Sequence, residues 1–262
     1  MSGAVKGLSG LKTRELGRCH IHLETVDSTN DYLKRRAGEL CHGASATASL
    51  QTAGKGRLGR QWLELPDKAL ALSVLLAGYT PAQLGQLPLL VGLAVSQGLE
   101  GLTGLQIGLK WSNDCILAEK KLCGILCESR ILGNQVWTVV GIGVNTQQTA
   151  EQLCGLNLEY ATSLFLATQK YWDIAQIGGE ILNKLEEILD IYALSGFSAL
   201  KTAYSERCVT LGKKVRIVDA DRETLGEALG IAEDGGLICR VDGQEKIIRS
   251  GEASVRGLYG YT

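Results

Sequence analysis

A long stretch without charged residues, Ala69 to Leu99, constrains the fold of this chain more than any other sequence feature. About 20 consecutive apolar residues suffice for a helix to cross a bilayer, so this stretch is long enough on length alone. It is interrupted, however, by Pro81, Pro88 and several glycines and glutamines. Its first part, 69–77, is typical of a buried strand, and 89–99 predicts a helix. We therefore expect the stretch to form buried core and not a membrane span.

Periodicity elsewhere predicts a mixture of strands and helices. Strands are predicted at 22–26, 46–50, 107–111, 115–118, 122–128 and 136–144. The residues Ser28 to Asp31 match a capping box that opens a helix, and Glu119 to Lys121 predict the turn of a hairpin. Two further helices are predicted at 174–193 and 197–207.

The texture of the sequence changes after residue 208. Short strand patterns at 215–218, 225–232, 237–241 and 246–249 alternate with turns that contain Asp and Gly. The predicted fold class is therefore α+β, with a mixed β-sheet domain and its helices over 1–207. A small β-barrel-like domain is expected over 208–262.

Charge and cysteine content restrict the partners and the compartment. The formal net charge of the 262 residues is -1, which argues against wrapping nucleic acid or binding an anionic membrane. The eight cysteines are scattered, and the first residues lack the apolar core of a secretory signal. Reduced thiols in the cytoplasm are the expected state.

A glycine-rich loop with three cations, Gln51 to Trp62, follows the second predicted strand. Glycine lets backbone amides turn inward, and Lys55, Arg57 and Arg60 supply charge for an anion. The spacing of Gly54, Gly56 and Gly59 also satisfies the dinucleotide fingerprint, but that motif should open a helix, and no helical pattern follows here. The Gly-Lys-Ser/Thr ending of a P-loop is absent. A nucleotide or acyl-phosphate loop of another type fits better.

Four blocks in order resemble those of biotin protein ligases and span most of residues 26–145. The blocks are 27–30 (Asp-Ser-Thr-Asn), 51–60, 110–114 (Lys-Trp-Ser-Asn-Asp) with 121–126, and 141–145 (Gly-Ile-Gly-Val-Asn). One block alone would be weak evidence for the family, whereas four blocks in the family's order are a specific match. The resemblance implies a catalytic domain followed by a small SH3-like domain, with ATP and biotin as substrates and Mg²⁺ as the accompanying ion.

The same resemblance implies roles for individual residues. Those expected to contact biotin are Ser28, Thr29, Asn30, Gln51, Gly54, Gly56, Arg57, Lys121 and Gly124. Those expected to contact the nucleotide are Arg57, Arg60, Trp62, Lys110, Asn113, Asn145 and Arg256. Catalysis is expected to depend on Arg57, Lys121, Lys55 and Asp114, with Asp114 either holding Mg²⁺ or orienting the acceptor amine.

The sequence departs from the family at two informative positions. Lys55 stands where relatives usually have Arg, and Ser112 where they usually have Pro. Lysine keeps the charge but lacks the planar fork of arginine, so its contacts are expected to be looser.

The implied activity is the formation of biotinyl-5'-AMP and transfer of biotin to a lysine of a biotin carboxyl carrier protein or domain. The alternatives are a lipoate or octanoate ligase or transferase, and a non-catalytic biotin-binding module. About twenty residues precede the first block, too few for a helix-turn-helix domain, so the expected type is monofunctional and does not bind DNA. The resemblance allows a monomer or a homodimer.

Overall fold

Seven strands form a mixed β-sheet, as predicted. The computed structural model describes residues 7–219, 222–250 and 254–257. The strands of this sheet are β1 His20–Val26, β2 Ser45–Gln51, β3 Ala69–Ala77, β4 Gly108–Lys110, β5 Asp114–Leu117, β6 Lys120–Leu132 and β7 Gln135–Asn145. Their order is β1-β2-β3-β7-β6-β5-β4. Strands β1 and β2 run parallel, and the other neighbouring pairs run antiparallel.

Helices cover both faces of this sheet. They are α1 Thr29–Arg35, α2 Leu87–Thr103, α3 Ala150–Gly155, α4 Leu164–Thr168, α5 Ile174–Ser195 and α6 Ser198–Arg207. The main core joins α2 and α5 to β3 and β7 through residues such as Leu93, Leu72 and Val140. A smaller cluster joins Leu33 of α1 to Leu75 of β3. Because β3 is covered on both faces, its sequence is apolar almost throughout.

The uncharged stretch divides into β3 and α2, as expected. Helix α2 is longer than the predicted 89–99 and ends at Thr103; Gly104 caps it with a φ of 72°, a left-handed conformation that glycine adopts without strain. Among the described residues, no helix is long and apolar enough to cross a bilayer.

Two local predictions need correction. Ser28 caps α1 by accepting from Asp31 N, but the reciprocal half of the capping box is replaced by a bond from Ser28 N to Asp27 Oδ1 at 2.7 Å. The hairpin turn lies at Ala118 and Glu119, both with positive φ, and Lys120 and Lys121 belong to β6 instead of the turn. Two residues with positive φ match the right-handed twist of the flanking strands.

Sequence reasoning missed α3 and α4. A signal for α3 was present, because Thr149 and Gln152 have the spacing of a capping box and form both of its hydrogen bonds. Helix α4 has five residues, too few for a periodic pattern to be read.

The C-terminal strands form a separate five-stranded antiparallel sheet. They are β8 Lys214–Asp219, β9 Arg222–Ile231, β10 Leu237–Val241, β11 Gln244–Ile248 and β12 Ser254–Gly257, in the order β11-β10-β9-β8-β12. Strand β12 was not predicted. The sheet is tied to the end of β4, where Val209 N donates to Leu109 O at 2.8 Å and Trp111 Nε1 donates to Gly235 O at 3.0 Å.

Candidate active site

The floor of the site is bare strand backbone. Side chains alternate along β7, so Ile142 belongs to the core while Gly141 and Gly143 face the other side of the sheet. A Cβ atom on Gly143 would lie 2.5 Å from Cε2 of Trp62, and one on Gly141 would overlap the amide of Asn30. Glycine at both positions lets Trp62 and Asn30 lie directly against the strand.

Polar side chains at the N-terminus of α1 and on the neighbouring strands form one wall of the site. Gln51 Oε1 accepts from Thr29 N at 2.9 Å and from Thr29 Oγ1 at 3.1 Å. Ser73 Oγ of β3 lies 2.7 Å from both Thr29 Oγ1 and Asn30 Oδ1. Asn30 Nδ2 donates to Glu128 Oε2 at 3.0 Å. This network fixes the orientation of each side chain before any ligand arrives.

An inner cavity of about 480 Å³ lies between this floor and wall. It is lined by eight of the residues predicted to contact biotin, namely Ser28, Thr29, Asn30, Gln51, Gly56, Arg57, Lys121 and Gly124. The ninth, Gly54, lies behind Trp62, whose backbone N donates to Gly54 O at 2.9 Å.

A larger outer cleft of about 2300 Å³ adjoins the inner cavity. Six residues predicted to contact the nucleotide line it, namely Arg57, Arg60, Trp62, Lys110, Asn113 and Asn145. The residues common to both spaces are Gly56, Arg57, Trp62, Asn113 and Lys121. The loop that supplies the first three continues into a 3-10 turn, Arg57–Gly59, and not an α-helix, so the dinucleotide fingerprint is correctly rejected.

Arg57 lies where the two spaces meet. Its Nη1 donates to Ser112 Oγ and to Asn113 Oδ1, both at 2.8 Å. Burial lowers the pKa of Arg57, while the charge of Asp114 opposes this effect. Among the side chains that the structure describes, none forms an ion pair with Arg57. A partly buried guanidinium without a counterion favours an incoming anion.

Ser112, which stands where relatives usually have proline, adds a contact to Arg57 in this chain. The serine hydroxyl accepts a hydrogen bond from Arg57, and it lies 3.0 Å from Ser250 Oγ of the segment after β11. A proline has no side-chain acceptor to offer. Ser112 thus helps to position the arginine in this chain.

Lys121 and Asp114 form an ion pair at the same junction. Lys121 Nζ lies 2.7 Å from Asp114 Oδ1, and the two side chains are 20% and 14% exposed. They come from β6 and β5, which pair in this hairpin. The pair holds one ammonium and one carboxylate at the rim of the space where an anionic ligand would react.

Lys55 differs from the other predicted catalytic residues. Its Nζ lies 2.6 Å from Asp31 Oδ2, and its side chain is 42% exposed. Asp31 also lies 3.2 Å from Lys34 Nζ. Burial raises the pKa of Asp31, but its hydrogen bonds to Lys55 and Lys34 outweigh that effect and lower the pKa overall. Lys55 lines the inner cavity, with its charge directed to the mouth formed with α1.

Two sequence profiles and several relatives match the chain. The profile of the Biotin/lipoate A/B protein ligase family covers residues 22–145, and that of the Biotin protein ligase C terminal domain covers 210–256. The Bifunctional ligase/repressor BirA of Bacillus spizizenii is 32% identical across 91% of this chain and 74% of its own length. The Biotin--[acetyl-CoA-carboxylase] ligase of Mycobacterium tuberculosis is 33% identical across 87% of this chain and 85% of its own. The chain belongs to the biotin protein ligase family.

The fold agrees with this membership. The biotin protein ligase from Aquifex aeolicus in complex with biotin and ATP superposes with a TM-score of 0.79 at 33% identity, covering 92% of this chain and 99% of that one. The apo structure of the Aquifex protein matches with a TM-score of 0.78 at 30% identity. The predicted fold class is confirmed.

One charged residue of the outer cleft was missed from sequence. Arg216 of β8 lines the outer cleft, and its Nε is buried without a hydrogen-bond partner among the described residues. The predicted nucleotide contact from this part of the chain was Arg256, whose side chain lies outside the described residues. The backbone of Arg256 pairs with that of Arg216 across β8 and β12. The alternation of Val215, Arg216 and Ile217 indicated an outward-facing position.

Proposed function

We propose that this chain is an ATP-dependent biotin ligase that forms biotinyl-5'-AMP and then transfers biotin to a lysine of a biotin carboxyl carrier protein. The observation that carries the proposal is the position of Arg57 between the two spaces. The inner cavity suits the uncharged body of an acyl substrate, whereas the outer cleft, with Arg60, Lys110 and Arg216, suits a nucleotide. Similarity to the Aquifex protein in complex with biotin and ATP supports this assignment.

The first half-reaction brings two anions together. The biotin carboxylate attacks the α-phosphorus of ATP, an oxygen–phosphorus bond forms, and pyrophosphate leaves. Fixed cations offset the repulsion and the charge that develops on the phosphoryl oxygens. Arg57 and Lys121 are our candidates for this role, and the lining of both spaces by both side chains supports that proposal.

The second half-reaction needs a neutral amine. The lysine nitrogen attacks the acyl carbon, AMP leaves, and the amine loses a proton. A lysine with a pKa of about 10.4 is deprotonated only about once in 2,500 at pH 7. Asp114 lies at the rim of the cleft, 2.7 Å from Lys121, and is our candidate for orienting the incoming ammonium group or for accepting its proton.

Magnesium enters this scheme as part of the substrate MgATP. Mg²⁺ is usually held by one or two carboxylates together with substrate phosphates and water. Among the described residues, no group of three or more His, Cys, Asp or Glu side chains could hold a metal by itself. Asp114 lines the outer cleft and is our candidate for contributing such a carboxylate.

We further propose a domain boundary near 207/208 and a cytoplasmic location. The boundary is supported by the end of α6 at Arg207 and by the separate sheet that begins with β8. The location is supported by the eight free thiols, since a reducing compartment keeps such cysteines unpaired.

Pyrophosphate exchange into ATP tests the proposed activity. We expect exchange with biotin, and none with lipoate or without an acyl substrate. Arg57→Lys should lower the biotin-dependent exchange rate about 100-fold, because lysine keeps the charge but cannot reach both Ser112 and Asn113. Arg240→Ala, on β10 away from both spaces, is the matched control and should match the wild type. Exchange that depends on lipoate alone would overturn the assignment.

A further inference from the structure

Glu64 lies directly behind the site, although it lines neither space. Its Oε1 accepts from Gln51 N at 2.8 Å. Its Oε2 accepts from Trp62 Nε1 at 3.0 Å and from Gln51 Nε2 at 3.4 Å. Both partners line the inner cavity, and Trp62 also lines the outer cleft. One carboxylate therefore holds two walls of the site.

The carboxylate also decides which way the Gln51 amide points. An ionised carboxylate only accepts hydrogen bonds, so it requires the NH₂ group of Gln51 on its side. The amide oxygen then faces Thr29, whose backbone N–H and hydroxyl both donate to it. One N–H of Gln51 remains for a ligand, and it can serve only a hydrogen-bond acceptor.

Trp62 is restrained in the same way. Its indole N–H is directed to Glu64, so the ring cannot use that donor toward a ligand. The ring lies against Gly143, and its Cζ3 is 3.2 Å from where a Cβ of Gly124 would be. Glu64 thereby fixes the ring in the plane that separates the inner cavity from the outer cleft.

We propose that Glu64 is a positioning residue for substrate binding: it orients the Gln51 amide to donate to an acceptor atom of the acyl substrate and holds the Trp62 ring at the junction. The proposal rests on the proposed function only in taking biotin as that substrate. No contact between Glu64 and a substrate is needed.

The energetic cost of this arrangement supports a role in function. Burial raises the pKa of Glu64 to about 7, and its bonds from Gln51 and Trp62 only partly offset this effect. No ion pair to Glu64 is formed by the side chains that the structure describes. A buried carboxylate held by neutral donors destabilises the folded state unless it is protonated. Such a residue is expected where function, and not stability, sets the requirement.

Glu64→Gln distinguishes a role in substrate binding from a role in the stability of the fold. Glutamine has nearly the same shape but one acceptor oxygen, so it cannot receive all three donors, and its NH₂ faces an N–H of the wild-type network. We expect the KM for biotin in pyrophosphate exchange and the Kd for biotin by calorimetry to rise about 10-fold, with kcat changed less than about twofold. The melting temperature at pH 8 should be equal to or above that of the wild type, because a buried charge is removed.

Controls make the outcome decisive. Glu24→Gln, an exposed residue on β1, should leave KM, Kd and melting temperature unchanged. In a Gln51→Ala background, Glu64→Gln should cost much less, since its main partner is absent. Glu64→Asp, which is one methylene shorter, should also raise the KM for biotin. It provides a second test of the same carboxylate if Glu64→Gln cannot be measured.

Two results would overturn the inference. An unchanged Kd for biotin in Glu64→Gln would show that the carboxylate does not position the wall. A fall in melting temperature together with a fall in kcat would make Glu64 a merely structural residue. If the wild type binds biotin but does not exchange pyrophosphate, the proposed function fails while the calorimetric test of Glu64 still stands. A wild type that binds no biotin overturns both.

Discussion

Replacement of Gly143 by alanine tests whether the bare strand backbone shapes the site. The added Cβ would lie 2.5 Å from Cε2 and 2.6 Å from Cζ2 of Trp62. Carbon atoms in contact are usually about 3.5–4.0 Å apart, so the ring must move by about 1 Å. Overpacking of this kind costs about 1–3 kcal/mol of stability. A shift of about 1 Å in a positioning group can lower a rate about 100-fold.

We therefore expect Gly143→Ala to lower kcat/KM for biotin-dependent pyrophosphate exchange by about 10-fold to 100-fold. The KM for ATP should rise together with that for biotin, because Trp62 lines both spaces. Exchange measured over a range of each substrate, with a thermal melt on the same sample, gives both quantities.

A double-mutant cycle identifies the cause. In a Trp62→Leu background the smaller side chain leaves room for the new methyl group, so Gly143→Ala should add little further loss. The matched control is Gly230→Ala on β9, where the nearest atom to a Cβ, Ile238 Cδ1, is 3.9 Å away. A value of kcat/KM within twofold of the wild type, or an equal loss in the Trp62→Leu background, would refute the steric argument.

Two further predictions concern charge. Folding raises the pKa of Glu64 from 4.5 to about 7. The protonated carboxyl therefore contributes at most about 3 kcal/mol to the stability of the folded protein, and this contribution is complete below about pH 4.5. It is lost as the pH rises through 7. Urea unfolding from pH 4.5 to 8 should show a steeper loss of stability in the wild type than in Glu64→Gln, and equal slopes would contradict this. Lys55→Ala and Asp31→Asn each break the ion pair at the cavity mouth, so both should raise the KM for biotin a few-fold and change stability by less than about 1 kcal/mol. A fall in kcat for Lys55→Ala alone would instead indicate direct contact of Lys55 with the reacting groups.

Most of the secondary structure could be predicted from local patterns in the sequence. The strand 69–77 was predicted at its observed bounds because eight of its nine residues are buried, which leaves a continuous apolar signature. The long helix α5 was found because its apolar residues recur at helical spacing. The short helix α4 and the strand β12 escaped because a few residues carry too little periodicity, and α1 lost half of its predicted capping box to the neighbouring Asp27.

The sequence by itself determined the family, the fold class and the identities of most of the charged residues that line the two spaces, because these depend on motifs and on local periodicity. The tertiary structure decided which of those residues meet. It placed Arg57 between two spaces, turned Lys55 toward Asp31, and brought Arg216 to the outer cleft from the C-terminal sheet. It also revealed Glu64, which carries no motif and acts through partners. Such contacts depend on how strands and loops distant in sequence come together, and no local pattern along the chain encodes that geometry.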